Sequence, residues 1–221
     1  VYEPQTLEAQ AILLRTEIIR MFRMEREKGK DNLALPRSTY LSQIQLMDLW
    51  DVHYQEYQQK IRQAVSSTGG IYLTFRGLPI QACFFRVSAG STRDGTKLMD
   101  GQFPYLVSAE CPKDYLAEEF LTKLFYSKKQ LAELLGGTLR DLQFDSSGYV
   151  NLVCVESKEE NTEIYYYSEE WLRQKLRLQS SHITMEENGK EAVLVVKGMG
   201  HGYGMSQFAA NEMAKEGANH R

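Results

Sequence analysis

Ten residues near the end of this chain have the form of a site: Gly198-Met199-Gly200-His201-Gly202-Tyr203-Gly204-Met205-Ser206-Gln207. An apolar run, Val193 to Val196, leads into glycines at every second position, and a helical pattern starts at Ser206. Alternate glycines permit positive φ and close approach of another group. A helix start also leaves backbone N–H groups open to an acceptor. His201, Tyr203, Ser206 and Gln207 add polar side chains on that turn. The chemistry this suits is recognition of a polar ligand. A structural reading stands beside it: His201 can merely brace the turn, and Ser206 can merely cap the helix.

The elements that must hold this turn are legible from patterning. Leu7, Ala11, Leu14, Ile18 and Met21 recur at helical spacing and predict a helix from Thr6 to about Lys28. Tyr54, Tyr57, Ile61 and Val65 predict a second, ended by Gly69-Gly70. Ile71–Phe75 and Pro79–Val87 read as a hairpin around Arg76-Gly77, followed by a small-residue loop, Ser88 to Gly95. A short helix spans Lys128–Leu135. A hairpin pairs Leu139–Phe144 with Tyr149–Val155, and Ser168 caps a further short helix. Asn188-Gly189 turns a third hairpin, Ile183–Met185 with Ala192–Lys197. The last helix runs from Ser206 to about Glu216. Helices and hairpins in separate blocks predict an α+β fold with antiparallel pairing around a cleft, one domain over residues 1–221.

Bulk properties narrow the function classes. The 221 residues are 43% hydrophobic and 25% charged, with net charge −3 and pI about 5.9. Basic residues are interleaved with acidic ones, so nothing argues for nucleic acid. No apolar run is long enough for a membrane span. The three cysteines, Cys83, Cys111 and Cys154, form no C-x-x-C and no disulfide framework. The chain opens at Val1-Tyr2-Glu3-Pro4 just ahead of a strong helix, so both ends read as cuts through a longer protein.

Three blocks together resemble the stage II sporulation protein D family, with its related amidase enhancers. Leu7-Glu8-Ala9-Gln10-Ala11 through Arg15-Thr16 is similar to the family's E-A-L-K-A-Q-A-x-x-A-R-T. Pro79-Ile80-Gln81-Ala82, then Ser88-Ala89-Gly90-Ser91-Thr92 and Pro104-Tyr105-Leu106, is similar to its p-I-x-A, S-G-G-x-T and P-Y-L. Gly200 to Gln207 is similar to G-H-G-x-G-M-S-Q. The resemblance implies a peptidoglycan lytic transglycosylase acting on denuded glycan strands during forespore engulfment. It implies a membrane anchor outside this chain, an extracytoplasmic site, and as partners a cell-wall amidase and other sporulation membrane proteins. Substrate contacts are then expected from Gln10, Arg15, Ser88, Ser91, Thr92, His201, Tyr203, Ser206 and Gln207. For Gln10 and Arg15 the alternative is a buried polar pair bonded to a loop.

Such chemistry needs one carboxylic acid. A protonated glutamate gives its proton to the glycosidic oxygen, and the 6-hydroxyl of N-acetylmuramic acid closes on its own C1. The family's acid is expected in an E-M-P motif ahead of the first block, before Val1. The family's next glutamate falls at Gln5 here, and an amide is no proton donor of that kind. Glu3 and Glu8 lie nearby but out of register. The catalytic residue is therefore left unassigned. Some relatives hold a metal near the second block with Cys and His. Cys83 is present, but Phe84, Phe85 and Ser88 supply no imidazole, so no metal and no cofactor is assigned. A second reading is a non-catalytic glycan-binding or amidase-enhancing module.

Overall fold

The computed structural model describes residues 2–32, 34–35, 40–96, 101–157 and 163–220. The chain divides into two units, residues 1–83 with 210–221, and residues 84–209. The fold is α+β.

The first unit is built on α1, Pro4–Glu27, with Pro4 where the first helical N–H needs no partner. Its buried stripe is Thr6, Ala11, Ile12, Leu13 and Thr16. Helix α2, Gln43–Trp50, carries a Ser42/Gln45 capping box and buries none of its residues. Helix α3, Tyr54–Ser67, lies against α1 and buries Tyr54 and Ala64. A minimal hairpin follows, β1 (Thr74–Phe75) with β2 (Leu78–Pro79). Arg76 and Gly77 both have positive φ there, the turn whose twist suits a two-residue hairpin.

The second unit begins with β3, Phe84–Phe85. The continuous strand expected over Pro79–Val87 is interrupted, because β3 leaves the hairpin and pairs in parallel with β10, Met205–Ser206. Strand β4 (Leu121–Ser127) runs into α4 (Lys128–Leu135) through a Ser127/Gln130 capping box. Strands β5 (Gly137–Phe144), β6 (Val150–Ser157) and β7 (Ile164–Ser168) form one antiparallel sheet in the order β5-β6-β7. Helix α5, Glu169–Leu176, follows with Ser168 as its N-cap. Strands β8 (Ile183–Asn188) and β9 (Glu191–Lys197) join β4 in a second antiparallel sheet, β4-β9-β8. The division between units falls within α6, Gln207–Lys215.

The core of the second unit gathers Val153 and Val155 of β6, Leu194 and Val196 of β9, Leu131 and Leu135 of α4, and Leu172 and Leu176 of α5. Each fully buried aliphatic side chain contributes about 1.5–3 kcal/mol. This core fixes the two sheets, and β9 of one of them leads straight into the glycine-rich turn. Among the described residues, no helix is long and apolar enough to cross a membrane.

Candidate functional site

The glycine-rich turn is clamped by segments distant in sequence. Met199 exchanges two backbone hydrogen bonds with Val87, at 2.7 and 3.1 Å. The Gly200 N–H donates to Gln179 O at 2.8 Å, and the Arg93 N–H donates to Gly202 O at 2.7 Å. Gly198, Gly200, Gly202 and Gly204 all have positive φ. Three of them also have no room for a side chain: a Cβ on Gly198 would sit 2.7 Å from Val87 O, one on Gly200 would sit 2.6 Å from Phe85 Cβ, and one on Gly202 would sit 2.6 Å from the Tyr149 ring. The alternation of glycine is therefore set by backbone conformation and close packing together.

His201 is held between rings. It lies 5.7 Å from the Phe85 centroid and 6.0 Å from that of Tyr203. Its Nδ1 accepts the Tyr203 N–H at 3.1 Å, which makes Nε2 the protonated nitrogen of the neutral ring. Burial pushes its pKa below the ordinary histidine value, and the nearby Arg173 charge works in the same direction. His201 is thus a neutral, half-buried ring at neutral pH, suited to contact rather than to acid catalysis.

Beneath Tyr203 lies a charge that no local pattern singles out. Arg93 is 2% exposed. Its Nη1 donates to both carboxylate oxygens of Glu169, at 2.6 and 2.8 Å, and its Nε donates to Asp145. Its guanidinium lies 5.0 Å from the Tyr149 centroid and 4.7 Å from that of Tyr203, within cation–π range of both. Burial raises both phenols to about 12, so both remain neutral. Asp145 Oδ1 also accepts the N–H groups of Ser147 and Tyr149, and Glu169 accepts from Ser181. Glu169, in the first turn of α5, is half of the anchor for Arg93.

A second unforeseen residue is Asp114, fully buried in a one-turn 3₁₀ helix, Asp114–Leu116. Its Oδ2 accepts the Ser88 N–H at 2.6 Å and the Ser206 hydroxyl at 2.8 Å. One carboxylate thereby joins the loop of the second block to the end of the third. Ser206 Oγ also accepts the Ala209 N–H at 3.3 Å, the geometry of a helix cap.

The sequence-derived candidates separate by what their polar atoms are doing. Ser88, Thr92 and Ser206 are buried. Ser88 Oγ accepts the Gly90 N–H, and Thr92 Oγ1 accepts the Ala109 N–H at 2.8 Å, so all three hydroxyls serve the backbone. Ser91, half-buried, bridges to Glu110. His201, Tyr203 and Gln207 are half-buried on the turn itself. Gln10 and Arg15 belong to α1 in the first unit. There Arg15 donates to Val65 O, Thr68 O and Ile71 O at 3.0, 2.7 and 2.8 Å. It closes the end of α3, the role of a charged side chain on orphan helix carbonyls.

Near Gln5, the carboxylate of Glu8 accepts from Ser67 at 2.7 Å and lies 2.8 Å from His220 Nδ1. The Ser67 hydrogen bond and the His220 contacts hold its pKa below the ordinary carboxylate value. A general acid needs the opposite shift.

These features can be set beside known proteins. No family model matches the chain. It is 31% identical over 227 residues to stage II sporulation protein D of Bacillus subtilis (strain 168), and 30% identical over 228 residues to that of Bacillus amyloliquefaciens. Each match covers 98% of this chain. Over nearly its whole length the chain is thus similar to stage II sporulation protein D. It spans 64% of the length of these two relatives. Within the matched region, Gly200 to Gln207 is a structurally constrained segment: glycines fix its path, and Arg93 and Asp114 fix its ends.

Proposed function

We propose that this chain is the glycan-binding part of a sporulation lytic transglycosylase that acts on peptidoglycan strands stripped of their stem peptides. The observation that carries the reading is the glycine-rich turn. It offers the half-buried His201 and Tyr203 rings and Gln207 from a backbone that has little freedom to move. Rigid aromatic faces with adjacent polar groups suit sugar rings, which have apolar faces and equatorial hydroxyls. The similarity to stage II sporulation protein D supports sporulation as the setting, and the motif resemblance supports peptidoglycan as the polymer. In this reading the proton donor is a glutamate outside this sequence, and the whole protein is membrane-anchored, works outside the cytoplasm and acts beside a cell-wall amidase. The low pKa of Glu8 supports a donor elsewhere.

A second reading, a non-catalytic amidase-enhancing module, is favoured by one observation. Gln5, where the family has glutamate, uses its amide oxygen to accept the His220 N–H at 3.0 Å. It is committed to structure rather than poised for proton transfer.

The test is co-sedimentation with denuded glycan strands, with mass spectrometry of the supernatant. The 221-residue chain should pellet with the strands and release no 1,6-anhydro products. Tyr203→Ala should reduce binding about tenfold, from roughly 1–3 kcal/mol of lost ring contact. A protein extended to carry the E-M-P segment should release those products. Inertness of the extended protein would favour the second reading. Absence of pelleting would sink both.

A further inference from the structure

Two arginines stand close to the glycine-rich turn, and they differ in what their charges are doing. Arg93 is fully engaged: it is 2% exposed and bound to Glu169 and Asp145. Arg173, on α5, is half-buried. Its Nη2 donates to Gln179 O at 3.3 Å, and the same oxygen accepts the Gly200 N–H at 2.8 Å. Ser180, the next residue, also bridges to Gly200. One carbonyl therefore seats the guanidinium against the backbone that leads into His201. Its charge reaches the ring, since it helps to hold the His201 pKa below the ordinary value.

That charge is not neutralised by a carboxylate. Glu169, one helical turn back, is committed to Arg93 and Ser181. Among the described residues no acid forms an ion pair with Arg173. Its Nε is sealed inside the protein. Its Nη1 is not sealed, and among the described residues it has no hydrogen-bond partner. The turn thus carries a cationic N–H donor on its shoulder, open to solvent and held in place by the other arm of the same guanidinium.

A cation in this place can tell one glycan strand from another. In intact peptidoglycan the lactyl group of muramic acid is joined to the stem peptide through an uncharged amide. Hydrolysis of that amide strips the peptide and leaves a carboxylate on the lactyl group. A hydrogen bond between ionised partners is roughly twice as strong as a neutral one. We infer that Arg173 is a specificity-determining residue of the glycan site, with its Nη1 donating to the lactyl carboxylate of denuded muramic acid. The inference rests on the glycan reading above and adds the group by which denuded strands are told apart.

Co-sedimentation of the 221-residue chain with two polymers tests it. One is denuded glycan strands. The other is the same strands after their lactyl carboxylates have been converted to methylamides. The denuded strands should bind about tenfold more tightly, the effect of one charge-assisted hydrogen bond. Raising the salt from about 0.05 to 0.5 M should shrink that difference. Arg173→Gln should lower binding of denuded strands to the level of the methylamide strands and leave the latter unchanged. Arg173→Lys should keep part of the preference. If Arg173→Gln does not fold, Arg173→Lys and the comparison of the two polymers on the native chain still decide. Equal binding of the two polymers overturns the inference and leaves the glycan reading standing. An equal loss on both polymers in Arg173→Gln also overturns it, because a residue that only braces Gln179 has no means of sensing the carboxylate. Failure of the methylamide strands and the denuded strands alike to bind removes the glycan reading and this inference with it.

Discussion

Replacing Arg93 with methionine removes the cation on which the floor of the glycine-rich turn is built. The side chain of Arg93 is 3% exposed, whereas those of Asp145 and Glu169 are 23% and 26% exposed. The variant leaves two carboxylates without their cation in a partly dry setting. Breaking a buried ion pair by deleting one partner costs about 3–5 kcal/mol. Because both carboxylates keep a quarter of their surface in water, the lower end applies, about 3 kcal/mol. Methionine preserves much of the stem packing, so lost volume adds little. At roughly 3 °C per kcal/mol for a unit of ~100–150 residues, the melting temperature should fall by about 10 °C. Calorimetry gives the fall directly. A double-mutant cycle with Glu169→Gln isolates the pair: Arg93→Met should cost less when Glu169→Gln is already in place. Arg93→Lys should restore only part of the loss, since an ammonium cannot meet Glu169 through two oxygens and Asp145 at once in the same planar fork. A loss under about 1 kcal/mol, or strict additivity with Glu169→Gln, would refute the assignment of Arg93 as the anchor.

Two further outcomes follow from the same region. Gly202→Ala puts a methyl 2.6 Å from the Tyr149 ring at φ +85°, while Gly189→Ala meets nothing within 4 Å at φ +60°. The first should destabilise by about 3 kcal/mol or more and the second by about 1 kcal/mol, read from denaturant midpoints; equal effects would show that packing does not select Gly202. Burial lowers the pKa of both His182 and His201, so the folded state binds fewer protons than the unfolded one. Stability should be level above the ordinary histidine value near 6.5 and fall as the pH drops below it, and His182→Gln should flatten that slope; a urea midpoint unchanged between about pH 7.5 and 5.5 would contradict this.

What can be read from the sequence depends on how local the cause is. Helix α4 is legible to the residue, because Ser127, Gln130 and Gly136 mark its ends by contacts within a few positions. The turn at Asn188-Gly189 and the cap at Ser168 are legible for the same reason. Strand β4 is not, because Leu121 and Phe125 are exposed while Leu124 and Tyr126 pack inward, so apolar residues occupy both faces and hide the period of two. Helix α2 escapes notice because it has no buried stripe. The break after Pro79 reflects a parallel pairing with residues 205 and 206, which no local pattern encodes. In the candidate site, the glycines announce the turn, but its supports do not announce themselves. Arg93 finds its carboxylates 52 and 76 positions away, and Asp114 finds Ser206 at 92. A lone charge in a small-residue loop and a lone aspartate after a proline look like surface residues until the chain is folded. Arg15 shows the converse: its motif position suggests a ligand, and its guanidinium is committed to the carbonyls that end α3.

The clamping of the glycine-rich turn by distant strands has a consequence for time as well as for shape. Met199 and Gly200 draw their backbone partners from Val87 and Gln179, so the path of the turn there is set from outside its own neighbourhood. A segment whose main-chain restraints at Met199, Gly200 and Gly202 span long stretches of sequence is organised only when the loops between have closed. The candidate site is therefore an accurate reporter of the finished fold. Amide exchange at Met199 and Gly200 should follow global unfolding of the second unit rather than local fraying, and a partly assembled chain should present no site at all.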